Sequence, residues 1–152
     1  MKTKVLMVCL GNICRSPLAE GILASKVNLE KVTVDSAGTG GYHIGNLPDS
    51  RSIEVATKFG IDIGAQRCRK LRAIDLDEYD LIYAMDKSNH NNIIGLATNE
   101  TQISKVKLLL DELNLQDNEV PDPYYGCTDG FEKVFLMIDS ACEIIAQNLN
   151  RE

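Results

Sequence analysis

Residues 4–9 (KVLMVC) are apolar beyond their first lysine, and the chain changes character immediately after them, at residues 10–17 (LGNICRSP). A short apolar run of this kind reads as a strand buried on both faces. Gly11 supplies turn chemistry, and Pro17 stands where proline is welcome, at the opening of a helix, with Ser16 as its expected N-cap. Leu18, Ile22, Leu23 and Val27 then recur at helical spacing, which predicts a helix to about Leu29. Residues 31–36 (KVTVDS) follow as a second strand. Strand, helix and strand in this space form a right-handed crossover between parallel strands, so the chain is committed to an α/β fold.

The remaining elements extend that pattern. Residues 37–49 are a glycine-rich loop, and residues 50–59 a helix that Gly60 can cap. An irregular stretch carries Arg67, Arg69, Lys70 and Arg72, which read as a solvated face. Residues 79–85 (YDLIYAM) predict a third strand, with Asp86 or Ser88 capping a short helix after it, and residues 106–110 (VKLLL) a fourth. A polar loop over residues 114–129 leads to a final helix at about 130–149. The expected architecture is a doubly wound α/β domain spanning 1–152, with about four parallel strands and helices on both faces. In such sheets ligands sit at the carboxyl ends of the strands, and Cys9 lies at one of them.

Composition narrows the function. With 16 basic and 22 acidic residues the net charge is −6, a poor footprint for nucleic acid or an anionic membrane. No apolar run approaches a membrane span, and the N-terminal stretch is too short for a signal peptide's apolar region. Five cysteines, an odd number with no CxxC pair, suggest neither a disulfide framework nor a zinc site. Reduced thiols in the cytoplasm, with no metal or cofactor, are the expectation.

The chemistry concentrates in residues 8–17 (VCLGNICRSP). Backbone N–H groups of a tight loop at a helix N-terminus form a nest for a tetrahedral oxyanion. The residues that would line it are Leu10, Gly11, Asn12, Ile13, Cys14 and Ser16. Arg15 can grip two phosphate oxygens at once. Cys9 would lie beneath the nest, where the same donors, the helix dipole and the Ser16 hydroxyl favour its thiolate, the form that attacks phosphorus. Leaving-group departure needs a proton donor, and Asp122, between Pro121 and Pro123, is the candidate.

The string VCLGNICRSP resembles the phosphate-binding loop of the low-molecular-weight protein tyrosine phosphatases. The likeness continues through DSAGT (residues 35–39), YAMDKSN (83–89) and PDPYYG (121–126), spanning essentially the whole chain in the family's order. The resemblance implies a phosphocysteine at Cys9, a phosphate clamp at Arg15 and a general acid, then base, at Asp122. It also implies that Asn12 and Ser36 hold the loop by a hydrogen bond, and that Cys14 can form a protective disulfide with Cys9. Tyr42 and Tyr124 become the aromatic walls between which a phosphotyrosine ring passes. Phosphoserine would leave walls and acid unused. The expected partners are tyrosine-phosphorylated proteins or aryl phosphates, and the protein itself a monomer or weak dimer. Cys68, Cys127 and Cys142 read as packing residues, and His43 and His90 as surface residues.

Three rivals are weaker. Arsenate reductases on this scaffold need two further cysteines, and residues 86–96 contain none. Protein arginine phosphatases among the near relatives have threonine before the second loop cysteine, where this chain has Ile13. A noncatalytic phosphate sensor could lose the nucleophile or the acid, whereas Cys9, Arg15 and Asp122 are all present.

Overall fold

A computed structural model describes residues 2–41, 43–113, 118–123 and 128–150. Four strands, β1 (Thr3–Cys9), β2 (Val32–Gly38), β3 (Leu81–Ala84) and β4 (Val106–Leu108), form one all-parallel sheet in the order β2-β1-β3-β4. Among the described residues six helices accompany it: α1 (Arg15–Lys26), α2 (Ser50–Lys58), α3 (Asp75–Glu78), α4 (Lys87–Ile94), α5 (Glu100–Ser104) and α6 (Thr128–Asn150). The architecture is the doubly wound α/β fold that the first crossover demanded.

Alternation along β1 assigns the two faces. Val5, Met7 and Cys9 join the core built with α1 and α6, including Leu18, Ile22, Phe131 and Ile138. Leu6 and Val8 join Ile82, Val106, Leu76 and Ile93 on the other side. Both sets are almost fully buried, which explains the continuous apolar run of the central strand. Successive strands flank β1 on opposite sides, so the chain reverses its direction of travel between β1 and β3. That is the topological switch point, where a crevice opens at the carboxyl ends of the strands.

Several boundaries depart from expectation. β2 runs on to Gly38, because Ala37 and Gly38 pair with Val8 and Cys9. β4 stops at Leu108, and Leu109–Leu113 coil into a 3-10 helix whose first two leucines are buried. A short apolar run cannot separate these outcomes by periodicity. α1 ends at Lys26 rather than near Leu29 and begins at Arg15, with Cys14 in the cap position. Ser16 is therefore not the N-cap: it sits inside the first turn, and its hydroxyl is used elsewhere. Asp86 does cap α4, accepting from the Asn89 N–H, and Asn99 caps the unforeseen α5 in the same way.

Candidate active site

The loop between β1 and α1 is turned inside out by its surroundings. Its carbonyls accept from donors outside the turn. Thr39 N–H reaches Cys9 O and Gly40 N–H reaches Leu10 O, both at 2.9 Å. The Cys68 thiol donates to Asn12 O at 2.8 Å, and Asp49 N–H to Ile13 O at 2.7 Å. Cys14 O accepts from Leu18 N–H at 3.4 Å. In a trans peptide the N–H points opposite to its carbonyl. Carbonyls held outward therefore turn the N–H groups of Leu10, Gly11, Ile13, Cys14 and Arg15 to the inner side of the loop.

The turn needs one residue in the left-handed region, and Asn12 takes it with φ of 57°. Gly11, expected to supply that conformation, does not. Asparagine tolerates the region better than other residues with side chains, and here its amide also holds the loop. Asn12 Oδ1 accepts from the Arg69 N–H at 2.9 Å, which fixes the orientation of the carboxamide because a backbone N–H can only donate. The two hydrogens of Nδ2 then go to Ser16 Oγ at 2.8 Å and Ser36 Oγ at 3.0 Å. With one lone pair of Ser16 engaged in that way, its own hydrogen is available to Cys9 Sγ, 3.0 Å distant. Asn12, Ser16, Ser36 and Cys9 are all buried. Gly38 lies against the turn so closely that a Cβ there would stand 2.8 Å from Leu10 O and 3.0 Å from Asn12 N.

Arg15 is 3% exposed and opens α1 with its guanidinium facing the crevice. Nη1 donates to Asp86 Oδ2 at 2.6 Å and to Val120 O at 3.0 Å. Both hydrogens of that nitrogen are thus occupied, leaving the Nε–Nη2 edge, the side-on fork suited to two oxygens of one phosphate. Burial alone would lower the Arg15 pKa, but the Cys9 sulfur and the Asp86 and Asp122 carboxylates outweigh it and hold the group above its ordinary value. Its charge is permanent.

Asp122 has a 38% exposed side chain, with Oδ2 3.6 Å from Arg15 Nη2. Val120 N–H donates to Met85 O at 2.8 Å and Glu119 accepts from Lys87 N–H at 2.8 Å, so the loop bearing Asp122 is tied to the end of β3 and the start of α4. Cys9, Arg15 and Asp122, 113 positions apart at their extremes, meet at one crevice.

Asp86 is the residue that sequence reading undervalued. One carboxylate oxygen caps α4 and the other pairs with Arg15, 71 positions away. Arg69 and Cys68 were likewise missed. The Arg69 side chain is not a solvated charge, since it pairs with the fully buried Asp75 at 2.9 Å and lies 3.6 Å from Asp35. His43 is half-buried, its ring lying over Gly11, whose Cβ would stand 3.2 Å from Cδ2. Tyr42, Tyr124 and Cys127, the first two expected as pocket walls, lie outside the described residues.

The other thiols differ sharply from a nucleophile in surroundings. Burial first, then the charges of Asp49 and Cys9, push Cys14 up to about 12. Burial, with Cys9, pushes Cys68 up to about 11. Both stay protonated near neutrality. Among the described residues no cluster of His, Cys, Asp or Glu could hold a metal ion, and no helix is long and apolar enough to cross a membrane.

Comparison with known proteins shows the family. Residues 4–152 match the family model described as low molecular weight phosphotyrosine protein phosphatase. The low molecular weight protein-tyrosine-phosphatase YfkJ of Bacillus subtilis is 43% identical over 153 residues, covering 97% of this chain and 96% of its own. The low molecular weight phosphotyrosine protein phosphatase of Schizosaccharomyces pombe is 41% identical, covering 89% of each chain. A crystal structure of a protein tyrosine phosphatase from Entamoeba histolytica, with Hepes in the active site, superposes with a TM-score of 0.93 at 35% identity, covering 99% of this chain and 98% of the other. The chain belongs to the low molecular weight phosphotyrosine protein phosphatase family.

Proposed function

We propose that the protein hydrolyses phosphotyrosine on other proteins through a phosphocysteine at Cys9. The observation that carries this reading is that the inward-facing N–H groups, the Nε–Nη2 edge of Arg15 and the sulfur of Cys9 lie at the same end of the loop. Three equatorial phosphate oxygens would take the N–H groups and the Nε–Nη2 edge, which places phosphorus in line with Sγ. Bond formation between sulfur and phosphorus accompanies cleavage of the bond to the tyrosine oxygen, and Asp122 protonates that oxygen as it leaves. Water then attacks phosphorus, Asp122 takes its proton, and inorganic phosphate departs as the Cys9 thiolate is regenerated.

Residues outside the crevice have supporting parts. Ser16 donates to the sulfur in its thiolate form, and Asn12 and Ser36 hold the turn that aims the N–H groups. Asp86 occupies Nη1 and so orients the fork of Arg15. Tyr42 and Tyr124 flank the substrate ring in this reading, by resemblance to the family. Peroxide would oxidise Cys9 to a sulfenic acid with release of one water, and attack by Cys14 on that sulfur would expel a second water and leave a reversible disulfide. A cytoplasmic setting, where both thiols stay reduced, suits that chemistry.

The test is hydrolysis of p-nitrophenyl phosphate and a phosphotyrosyl peptide at mildly acidic pH, with a phosphoarginine peptide alongside. Efficient turnover of the first two, lost in Cys9→Ser, is the expected result. Preference for phosphoarginine, or full turnover by Cys9→Ser, would overturn the reading.

A further inference from the structure

The hydrogen bonds that support Cys9 do not end at Ser36. Ser36 Oγ accepts one hydrogen of Asn12 Nδ2, so its own hydrogen must find another partner, and it meets Glu20 Oε1 at 2.7 Å. Counting hydrogens fixes the donors from Asn12 through Ser36 to Glu20. Asn12, oriented by the Arg69 N–H, donates to Ser36 and Ser16, and Ser36 donates onward to Glu20, while Ser16 Oγ lies 3.0 Å from Cys9 Sγ and 3.5 Å from Ala37 O. Reversing the Ser36 hydroxyl would set its hydrogen against those of Asn12 Nδ2 in a buried network, the costly case for unpaired polar groups. We infer that Glu20 is a positioning residue for the phosphatase reaction: by taking the Ser36 hydrogen it keeps a lone pair of Ser36 Oγ on Asn12 Nδ2, and so braces the carboxamide that holds Ser16 beside the Cys9 sulfur. The inference rests on Cys9 being the nucleophile.

Glu20 does this from α1, half-buried, with its carboxyl also bordering a cavity of about 450 Å³ lined by Asp35, Asp62, Gln66 and Arg67. Asp35 and Ser36 face it from β2, and Arg69 from the segment that packs on Asn12. Burial raises its pKa to about 7, Asp35 adds to the rise, and Ser36 and Arg69 oppose it. At mildly acidic pH the group is therefore largely neutral, and its carbonyl oxygen still accepts from Ser36. The role demands an acceptor and not a charge.

That distinction makes the inference testable. Glu20→Gln keeps an acceptor at nearly the same place, while Glu20→Met keeps the volume and loses it. Two quantities are read at pH 6: kcat for p-nitrophenyl phosphate and the rate of iodoacetamide modification at the Cys9 peptide. Glu20→Met should lower both by about tenfold with KM changed little, the size expected from losing one buried hydrogen bond in the active form. Glu20→Gln should stay within about twofold of the parent protein. Should Glu20→Met not fold, Ser36→Ala carries the test: it should reproduce the same loss of both rates, and adding Glu20→Gln to it should change nothing further. Equal losses in the Gln and Met variants, or normal Cys9 reactivity in Glu20→Met and Ser36→Ala, would overturn the inference. Turnover by Cys9→Ser would instead overturn the mechanism beneath it, so the two failures are distinguishable.

Discussion

Gly38→Ala probes how closely the sheet presses on the phosphate-binding turn. The added Cβ would stand 2.8 Å from Leu10 O and 3.0 Å from Asn12 N, about 0.6 Å inside ordinary contact with the carbonyl. Both atoms are backbone, so no side chain can swing away, and Leu10 O is itself held at 2.9 Å by Gly40 N–H. Relief must come from moving the turn or the end of β2. Displacements near 1 Å at a reacting centre cost on the order of a hundredfold in rate, so a shift of this size should cost at least about tenfold in kcat/KM. Overpacking adds roughly 1–3 kcal/mol of destabilisation. At this chain length that lowers Tm by about 2–4 °C per kcal/mol. Gly60→Ala is the control: φ there is 81° and nothing lies within 4 Å of the new carbon, so it should cost roughly 1 kcal/mol of stability and leave kcat/KM unchanged. The assay is steady-state hydrolysis of p-nitrophenyl phosphate beside a thermal melt. Parental kcat/KM in Gly38→Ala would refute the argument, as would a loss of activity in Gly60→Ala that tracks its loss of stability.

Other expectations follow from the same geometry. Asp122→Ala should slow cleavage of a phosphotyrosyl peptide more than that of an ester with a good leaving group, because only the former needs the proton; equal slowing would remove Asp122 as the acid. Arg15→Lys keeps the charge but not the fork, and kcat/KM should fall roughly a hundredfold or more, with loss of phosphate inhibition as a parallel readout. Glu20 titrates in the native state at about 7 against an ordinary 4.5, so the folded protein binds the extra proton between those values. Its ionisation therefore costs stability as pH rises through that window. Glu20→Gln should gain unfolding free energy relative to the parent from pH 5 to pH 8, by an amount on the order of a few kcal/mol; a constant difference across that range would contradict the shift. Mild peroxide should inactivate the enzyme and thiol restore it, whereas Cys14→Ser should recover poorly; equal recovery would eliminate the disulfide.

What could be read from the chain was what neighbours in sequence decide. Residues 4–17 contain the strand, the turn and the helix start, so the position of Cys9 and Arg15 followed from local rules. What escaped was supplied by distant residues. Nothing near Asp86 announces that its second oxygen pairs with Arg15, because that contact exists only once β1 and β3 lie side by side. The same holds for Cys68 and Arg69, which reach Asn12 only because Gly38 and Lys70 bridge across the edge of β2. Ser16 misled for a related reason. Its capping chemistry is legible in the sequence, but the turn starts the helix at Arg15 and Asn12 claims the hydroxyl. The 3-10 helix at Leu109–Leu113 shows the limit of periodicity, since five residues with buried leucines fit either state.

The central claim is covalent catalysis by Cys9, and rapid acid quench during turnover tests it most directly. Asp122→Ala, which slows the second step as well as the first, should be mixed with a phosphotyrosyl peptide, quenched within milliseconds to seconds and digested for mass spectrometry. The account predicts a phosphoryl group on the Cys9 peptide that appears with substrate, decays with turnover and is absent from Cys9→Ser. A phosphoryl group on any other residue, or turnover without one in a protein lacking Cys9, would contradict it.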